Sequence, residues 1–329
     1  MDAGTGSDDR ERQPMSTSSP TTAGASTAAE EVRRQVDALA WYHSIDVGHG
    51  VVTKGLSRST TVDDFMPDFR GKTVLDIGAW DGYYSFLAER RGASRVVALD
   101  HYAWGVDIPA REAYWRECAE AGRMPDHGRD TADFWQPDLP GKRGFNLARE
   151  LLGSKVEAVV GDFASMDLTE LGTFDIVVYC GVLYHMKEPL TCLERVRSVT
   201  REVAVVETEA LHVPTLEHLP LAEFRAGNEV NRDFGNWWMP NMASLRAMCR
   251  AAGFSSTTLQ VGPPTAADSH RSSGSAVAGL TWEDLKEAVK GLRAIGRNVA
   301  GRALGRQDAG ATPIATPVQH YRAVVHAHV

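Results

Sequence analysis

The chain has 329 residues, 43% hydrophobic and 24% charged. That supplies a large packed core and excludes collagen-like, coiled-coil and wholly disordered chains. Lys+Arg 35 against Asp+Glu 43 leaves a net charge of −8, which lacks the long-range pull that non-specific nucleic-acid binding uses. No run of about 18 apolar residues could span a bilayer. Cys118, Cys180, Cys192 and Cys249 show no CxxC and no zinc spacing, and the first residues carry no apolar signal-type stretch. A cytoplasmic protein with reduced thiols and no metal is expected.

Residues 1–28, rich in Gly, Ser, Thr and Ala, read as a disordered tail. Residues 29–70 read as a helical lead-in, with a helix over Glu30–Leu39. Short β-branched runs then alternate with amphipathic ones. Strands are predicted at Lys72–Ile77, Arg95–Leu99, Val156–Val160, Phe174–Tyr179, Glu202–Glu207 and Tyr321–His326. Helices are predicted at Tyr84–Arg91, Pro189–Val199, Met242–Ala252 and Thr281–Arg306, with loops over Gly262–Gly274 and Gln307–Pro317. Buried strands spaced by helices specify an α/β fold with a doubly wound, mostly parallel sheet. Residues 71–262 form the expected core, with insertions at 101–150 and 211–241. Residues 263–329 add a helix and a closing strand.

The sharpest feature is VLDIGAWDGYYSFLAERRGASRVVALD, residues 74–100. A strand ends near Asp76, and Gly78-Ala79-Trp80-Asp81-Gly82 turns into a helix. Gly78 allows the tight turn, and Gly82 removes a Cβ where a ligand or the strand approaches. Asp100 ends the next strand, where an acid can accept hydrogen bonds from the two ribose hydroxyls of an adenosine.

This pattern resembles the class I S-adenosylmethionine-dependent methyltransferases, whose first strand runs into an acid-x-Gly-x-Gly-x-Gly loop. Trp80 stands where that pattern has its middle glycine. The resemblance implies Rossmann-like topology and S-adenosyl-L-methionine as cofactor. It implies cofactor contacts at Asp76, Gly78, Ala79, Trp80, Gly82 and Asp100, then at Asp162 and Phe163 after strand three and at Cys180 after strand four. The segment GVLYHMKEPL, residues 181–190, is similar to the matching loop of the wobble-uridine tRNA carboxymethyltransferases and their actinobacterial methyltransferase relatives. Those tRNA enzymes use carboxy-S-adenosylmethionine and hold its extra carboxylate with a Lys, a Tyr and an Arg. The resemblance puts these roles on Lys54, Tyr184 and Arg322; the anion could equally belong to the substrate. An ordinary surface charge is the competing reading for Lys54 and Arg322.

Methyl transfer needs an acceptor held in line and, often, a proton acceptor. His185 follows Tyr184 at the end of strand four and reads either as that base or as a histidine bonded to backbone. Glu207 and Glu209 alternate along strand five and therefore share a face. In the 211–241 insertion, Asn236, Trp237, Trp238 and Asn241 suggest a flat, apolar, hydrogen-bonding lid over an organic acceptor; a buried structural pair is the alternative. Trp41-Tyr42-His43 could fold over the cofactor, with His43 a further base candidate. The predicted late helix carries Trp282, Leu285, Val289 and Leu292 on one face and Lys286, Lys290, Arg293 and Arg297 on another. His326 and His328 alone are weak evidence for a metal.

The leading expectation is a methyltransferase acting on a small organic acceptor in secondary metabolite or antibiotic biosynthesis, with homo-oligomerisation left open. A tRNA wobble-uridine (carboxy)methyltransferase and a non-catalytic cofactor-binding module are the alternatives.

Overall fold

Five parallel strands, rich in Val, Leu, Ile and Ala, carry the molecule. The computed structural model describes residues 22–55, 65–130, 132–228, 233–263 and 318–329. The parallel strands are β1 (Thr73–Ile77), β2 (Arg95–Asp100), β3 (Glu157–Val160), β4 (Phe174–Cys180) and β5 (Thr200–His212). Two more strands, β8 (Ser256–Val261) and β9 (Gln319–His328), complete a seven-stranded sheet in the order β3-β2-β1-β4-β5-β9-β8. β9 inserts antiparallel between β5 and β8, pairing Glu207 with Val324 and Glu209 with Arg322. A separate short ladder joins β6 (Ala222–Phe224) to β7 (Trp238–Pro240).

The helices are α1 (Thr22–Asp37), α2 (Tyr83–Arg90), the single turn α3 (Tyr102–Gly105), α4 (Ile108–Glu120), the single turn α5 (His127–Asp130), α6 (Arg143–Leu151), α7 (Pro189–Val199) and α8 (Met242–Ala251). Because strand side chains alternate, the sheet separates two apolar clusters. Val74, Ile176 and Val205 pack on one side with Phe86, Trp104 and Phe145. Leu75, Val177 and Val206 pack on the other with Leu193, Leu245 and Phe254. The parallel, doubly wound expectation therefore matches the sheet.

Several features differ from expectation, among them the helices α4 and α6 inside the 101–150 insertion. α1 opens at Thr22, inside the segment read as tail, because Ala23, Ala25, Ala28 and Ala29 bring high helix propensity. β5 runs to His212, past the expected Glu207 end, since β9 pairs with it from Val203 to His212. β8 lacked a clean alternation and was absent from the expected strands. The predicted helix Thr281–Arg306 and the loop Gln307–Pro317 lie outside the described residues. So does most of the Gly262–Gly274 loop. No helix among the described residues is long and apolar enough to cross a membrane.

Candidate active site

The β1 turn is built by left-handed backbone. Gly78 has φ +79°, and a Cβ there would lie 2.5 Å from Val182 Cγ2, so glycine lets the β1 and β4 loops touch. Trp80 also has positive φ, +49°, a conformation that costs an L-residue about 1–2 kcal/mol. The position favours glycine, and tertiary contacts hold a tryptophan there instead. Its N–H donates to Asp100 Oδ2 at 2.9 Å, and its carbonyl accepts from Trp104 Nε1 at 2.5 Å. Its ring stacks on Tyr42, centroids 4.1 Å apart and planes within 11°.

Asp81 ties the lead-in segment to this turn. Its Oδ2 accepts from the N–H groups of Tyr42 (2.9 Å) and His43 (2.7 Å), while Oδ1 accepts from His43 Nδ1 at 2.5 Å. All of this is buried. His43 is thus committed to positioning Tyr42 over Trp80, and the sequence showed nothing of its partner, 38 positions away. Replacing Trp80 by Gly removes both the backbone strain and a stack worth roughly 0.5–1.5 kcal/mol. The two nearly cancel, so the melting temperature is expected to stay within a few degrees. Affinity for S-adenosylhomocysteine should fall roughly tenfold, as isothermal titration would register.

Asp76 and Asp100 lie at the ends of β1 and β2, both buried. Ser85 Oγ donates to Asp76 Oδ2 at 2.6 Å. Burial pushes the Asp76 carboxyl up to about 7, opposed by Ser85 and reinforced by Asp100. Burial likewise lifts Asp100 to about 6, against the backbone N–H groups around it. The Ala103 N–H donates to Asp100 Oδ1 at 2.9 Å. The Trp80 and Ala103 N–H groups, with those of Trp104 and His101 also acting on it, orient the carboxylate. Between the ordinary carboxylate range and about pH 7 the folded chain holds protons that the unfolded chain releases. Stability of the ligand-free protein should therefore fall as pH rises from 4 to 7. Thermal melts across that range should show the slope, and Asp76→Asn should flatten it.

The other expected cofactor residues have local duties. Ala79 is core, and Gly82 at the start of α2 has φ +85°, with Phe86 and Phe145 where its Cβ would be. Cys180 is buried in β4, its Sγ 3.9 Å from the Val205 carbonyl. Asp162 is exposed and caps its own turn, accepting from Ala164 N–H (3.0 Å) and Ser165 Oγ (2.7 Å). Phe163 turns into the core against Tyr179, under the Arg195 guanidinium. Both residues thus have protein partners as well.

At the end of β4, the turn Leu183–His185 brings several predicted residues together. Gly181 has φ +74°, and its Cβ position lies 3.8 Å from Glu207 Oε2 and 4.0 Å from Arg322 Nη2. Arg322 Nε lies 3.2 Å from Glu207 Oε1 and 3.6 Å from Glu209 Oε1. The guanidinium sits over the Tyr184 ring, 5.0 Å from its centroid. Burial works against the Arg322 charge, but Glu207, Tyr184 and Glu209 outweigh it and hold its proton firmly. Burial also drives the Tyr184 phenol well above its ordinary range, against Arg322, so the hydroxyl stays protonated. Tyr42 stands near enough to Tyr184 and Arg322 to act on both.

His185 Nδ1 lies 2.8 Å from the Gly235 carbonyl, which can only accept, so Nδ1 carries the hydrogen. Burial, aided by Arg322 and Arg111 and opposed by Asp233, holds its proton affinity below the ordinary histidine value. The neutral ring keeps a lone pair on Nε2. Backbone bonding and a base role are thus compatible in one residue.

Two expectations need correction. Lys54 does not join Tyr184 and Arg322: its side chain is 77% exposed and its ammonium pairs with Asp37 at 2.8 Å. The nearest anion to a side chain leaving this part of the lead-in is on α1, which no local pattern reveals. Trp237 and Trp238 do not form one flat surface either. Trp237 meets His127 edge-on at 4.8 Å, while Trp238 packs on Phe224 and donates to the Lys187 carbonyl at 3.2 Å. Both rings border Phe224, whose plane lies 20° from that of Trp237 and 49° from that of Trp238. The Trp237 N–H still pins the insertion to the site by donating to the Tyr184 carbonyl at 2.8 Å. Asn236 is buried, and Asn241 caps α8 by accepting from Ser244 N–H.

Sequence reasoning missed Arg111 and Trp115 as a unit. Arg111 is buried on α4, its guanidinium 4.0 Å from the Trp115 ring and 4.4 Å from that of Tyr102. Trp115 meets Phe234 edge-on at 5.9 Å. The 101–150 and 211–241 insertions therefore meet beside His185. Among the described residues no group of three His, Cys, Asp or Glu is placed to hold a metal. His326 and His328 are bonded to Phe65 O and Thr258 Oγ1.

The chain is similar to the tRNA U34 carboxymethyltransferase of Pseudomonas aeruginosa, 28% identical over 195 residues, covering 57% of this chain and 46% of that protein. The Campylobacter lari protein of the same name is 21% identical over 192 residues, covering 58% and 52%. The chain thus spans about half the length of the curated relatives it matches. Among solved structures, it is similar to the N-terminal domain of EvdMO1, in the presence of SAH and D-fucose. That match has TM-score 0.49 and 16% identity, covering 92% of this chain and 96% of that one. It is also similar to the Burkholderia thailandensis 1,6-didemethyltoxoflavin-N1-methyltransferase, with TM-score 0.37 and 16% identity, covering 63% and 71%. The sequence profile described as "Methyltransferase domain" matches residues 57–259, from before β1 to β8. With a strand, a glycine turn, a helix and a strand-end acid inside that span, the chain belongs to the methyltransferase domain family.

Proposed function

We propose that this protein transfers a methyl group from S-adenosyl-L-methionine to a small organic acceptor. The observation that carries the reading is the meeting of Gly78, Trp80 and Asp100 with the Tyr184–His185 turn at the carboxyl edge of one parallel sheet. Ligands of such sheets bind at that edge. The donor set suits the cofactor: Asp100 would meet a ribose diol, Gly78 would let backbone approach closely, and the Tyr42–Trp80 stack would give an aromatic wall.

S-adenosylmethionine, when bound, supplies an electrophilic methyl group. The chain's own groups do the rest. Tyr184 remains a neutral donor that fixes an oxygen or nitrogen of the acceptor. His185 Nε2, neutral and held by the Gly235 carbonyl, takes the acceptor's proton. Glu207, held by Arg322, is a second acceptor for that proton. Trp115, Phe234 and Trp237 bound the acceptor side with rings, which favours an apolar or aromatic molecule of the kind methylated in secondary metabolite biosynthesis. Four free, buried cysteines suit a reducing cytoplasm.

Native mass spectrometry of the freshly purified protein tests the cofactor: S-adenosylmethionine or S-adenosylhomocysteine should be released. A protein that carries neither and binds neither when added defeats the proposal. The curated relatives favour one rival, modification of tRNA. The net charge of −8 weighs against it. Retention on tRNA at about 50 mM salt with loss at higher salt would establish the rival.

A further inference from the structure

Resting on that cofactor reading, we infer that His43, held by Asp81, is a positioning residue for cofactor binding: it sets Tyr42 against Trp80 and so keeps the β1 turn in the shape that aims Asp100. Asp81 lies inside the turn and receives three groups of the lead-in segment. These are the Tyr42 and His43 N–H groups at 2.9 and 2.7 Å and His43 Nδ1 at 2.5 Å. The pair is shut away from solvent, with 6% of the His43 side chain and 3% of the Asp81 side chain exposed. Rings close around the imidazole: Tyr83 lies nearly parallel to it at 5.0 Å, and Tyr42 and Tyr84 meet it edge-on at 4.7 and 5.8 Å. The segment is braced from behind as well. Thr53 Oγ1 donates to the His43 carbonyl at 2.6 Å and accepts from the Ile45 N–H at 2.7 Å. Gly55 passes so close that a Cβ there would fall 2.3 Å from the His43 carbonyl.

This anchoring holds a strained residue. Trp80 keeps φ +49°, against the ordinary preference of an L-residue. Asp100 Oδ2 takes its N–H, Trp104 Nε1 donates to its carbonyl, and the Tyr42 ring covers its indole. The first two contacts come from the end of β2 and the turn of helix after it. The third comes from the lead-in segment, where Asp81 and His43 fix the place of the Tyr42 ring. Once Tyr42 lifts away, the turn relaxes toward an ordinary backbone conformation and draws the Trp80 N–H off Asp100. The carboxyl group then loses one of the bonds that aim it, and cofactor affinity falls. A histidine so enclosed gives an acceptor little access, so His43 acts through Tyr42 rather than as the base.

The test is a set of coupled substitutions in the full chain, read as S-adenosylhomocysteine affinity by isothermal titration. His43→Ala should weaken binding about fivefold, and Tyr42→Ala likewise, within the range of a lost aromatic pair. In a Trp80→Gly background there is no indole to cover, and glycine holds the left-handed turn without strain. There the same His43→Ala change should cost less than about twofold, because residues that act through one contact do not add. A proton-accepting role for His43 would leave S-adenosylhomocysteine binding unchanged in His43→Ala, and a general packing role would lower it equally in both backgrounds. Either result overturns the inference. Tyr42→Ala, taken through the same two backgrounds, decides by the same criteria if His43→Ala does not fold. An unaltered protein that does not bind S-adenosylhomocysteine defeats the cofactor reading and this inference together; intact binding with additive or absent losses defeats this inference alone.

Discussion

Gly78→Ala is expected to weaken S-adenosylhomocysteine binding at least tenfold, and Gly78→Val to abolish saturable binding, in proteins that remain folded. Two costs act together. The backbone at φ +79° is left-handed, which an alanine adopts at about 1–2 kcal/mol. The added Cβ also falls 2.5 Å from Val182 Cγ2, so the β1 and β4 loops must part. Those loops flank the site, and their separation spreads the groups that hold the cofactor. A second substitution separates the terms. Val182→Ala in the Gly78→Ala background removes the clash and leaves the strain, and should recover part of the affinity. Full affinity in Gly78→Ala alone would mean that the loop contact does not shape the site.

Arg322→Met should give the largest loss of stability among the site variants. It takes the guanidinium away from Glu207, 4% exposed, and Glu209. Breaking a buried pair costs about 3–5 kcal/mol. Arg322 keeps roughly a quarter of its side chain exposed, so solvent screening brings the expected loss to about 2–3 kcal/mol. The penalty has a pH signature. Two carboxyls without a cation take up a proton more readily in the folded state than in the unfolded chain. Stability of the variant relative to the parent should therefore fall as pH rises through the carboxylate range and above, and recover on acidification. Thermal melts at pH 5 and pH 8 check this: the gap from the parent should be several degrees at pH 8 and much smaller at pH 5. An equal gap at both would show that the loss comes from packing rather than charge.

The 27 residues from Val74 to Asp100 held most of what was legible. A strand, a glycine turn, a helix and a second strand ending in an acid are local signals, each set by backbone sterics and side-chain period within a few residues. The sequence was therefore enough for the parallel sheet, the cofactor edge and the placement of Tyr184 and His185 at the end of β4. Trp80 looked like a departure from a glycine pattern; the fold shows it accepting the left-handed conformation that glycine serves.

Tertiary structure alone decided the charges and the walls of the site. Arg322 lies more than a hundred residues from Glu207, and only antiparallel entry of β9 beside β5 makes them partners. His43 and Asp81 meet because the lead-in segment doubles back over the β1 turn. Lys54 had the right residue type near the right segment, yet Asp37 on α1 claims it. Trp237 and Trp238 both border Phe224 but at different tilts, a relation that the β6–β7 ladder decides. Local period and backbone preference are written residue by residue. The choice of ionic partner depends on which distant strands share an edge, and chain closure settles that only when the whole sheet has formed.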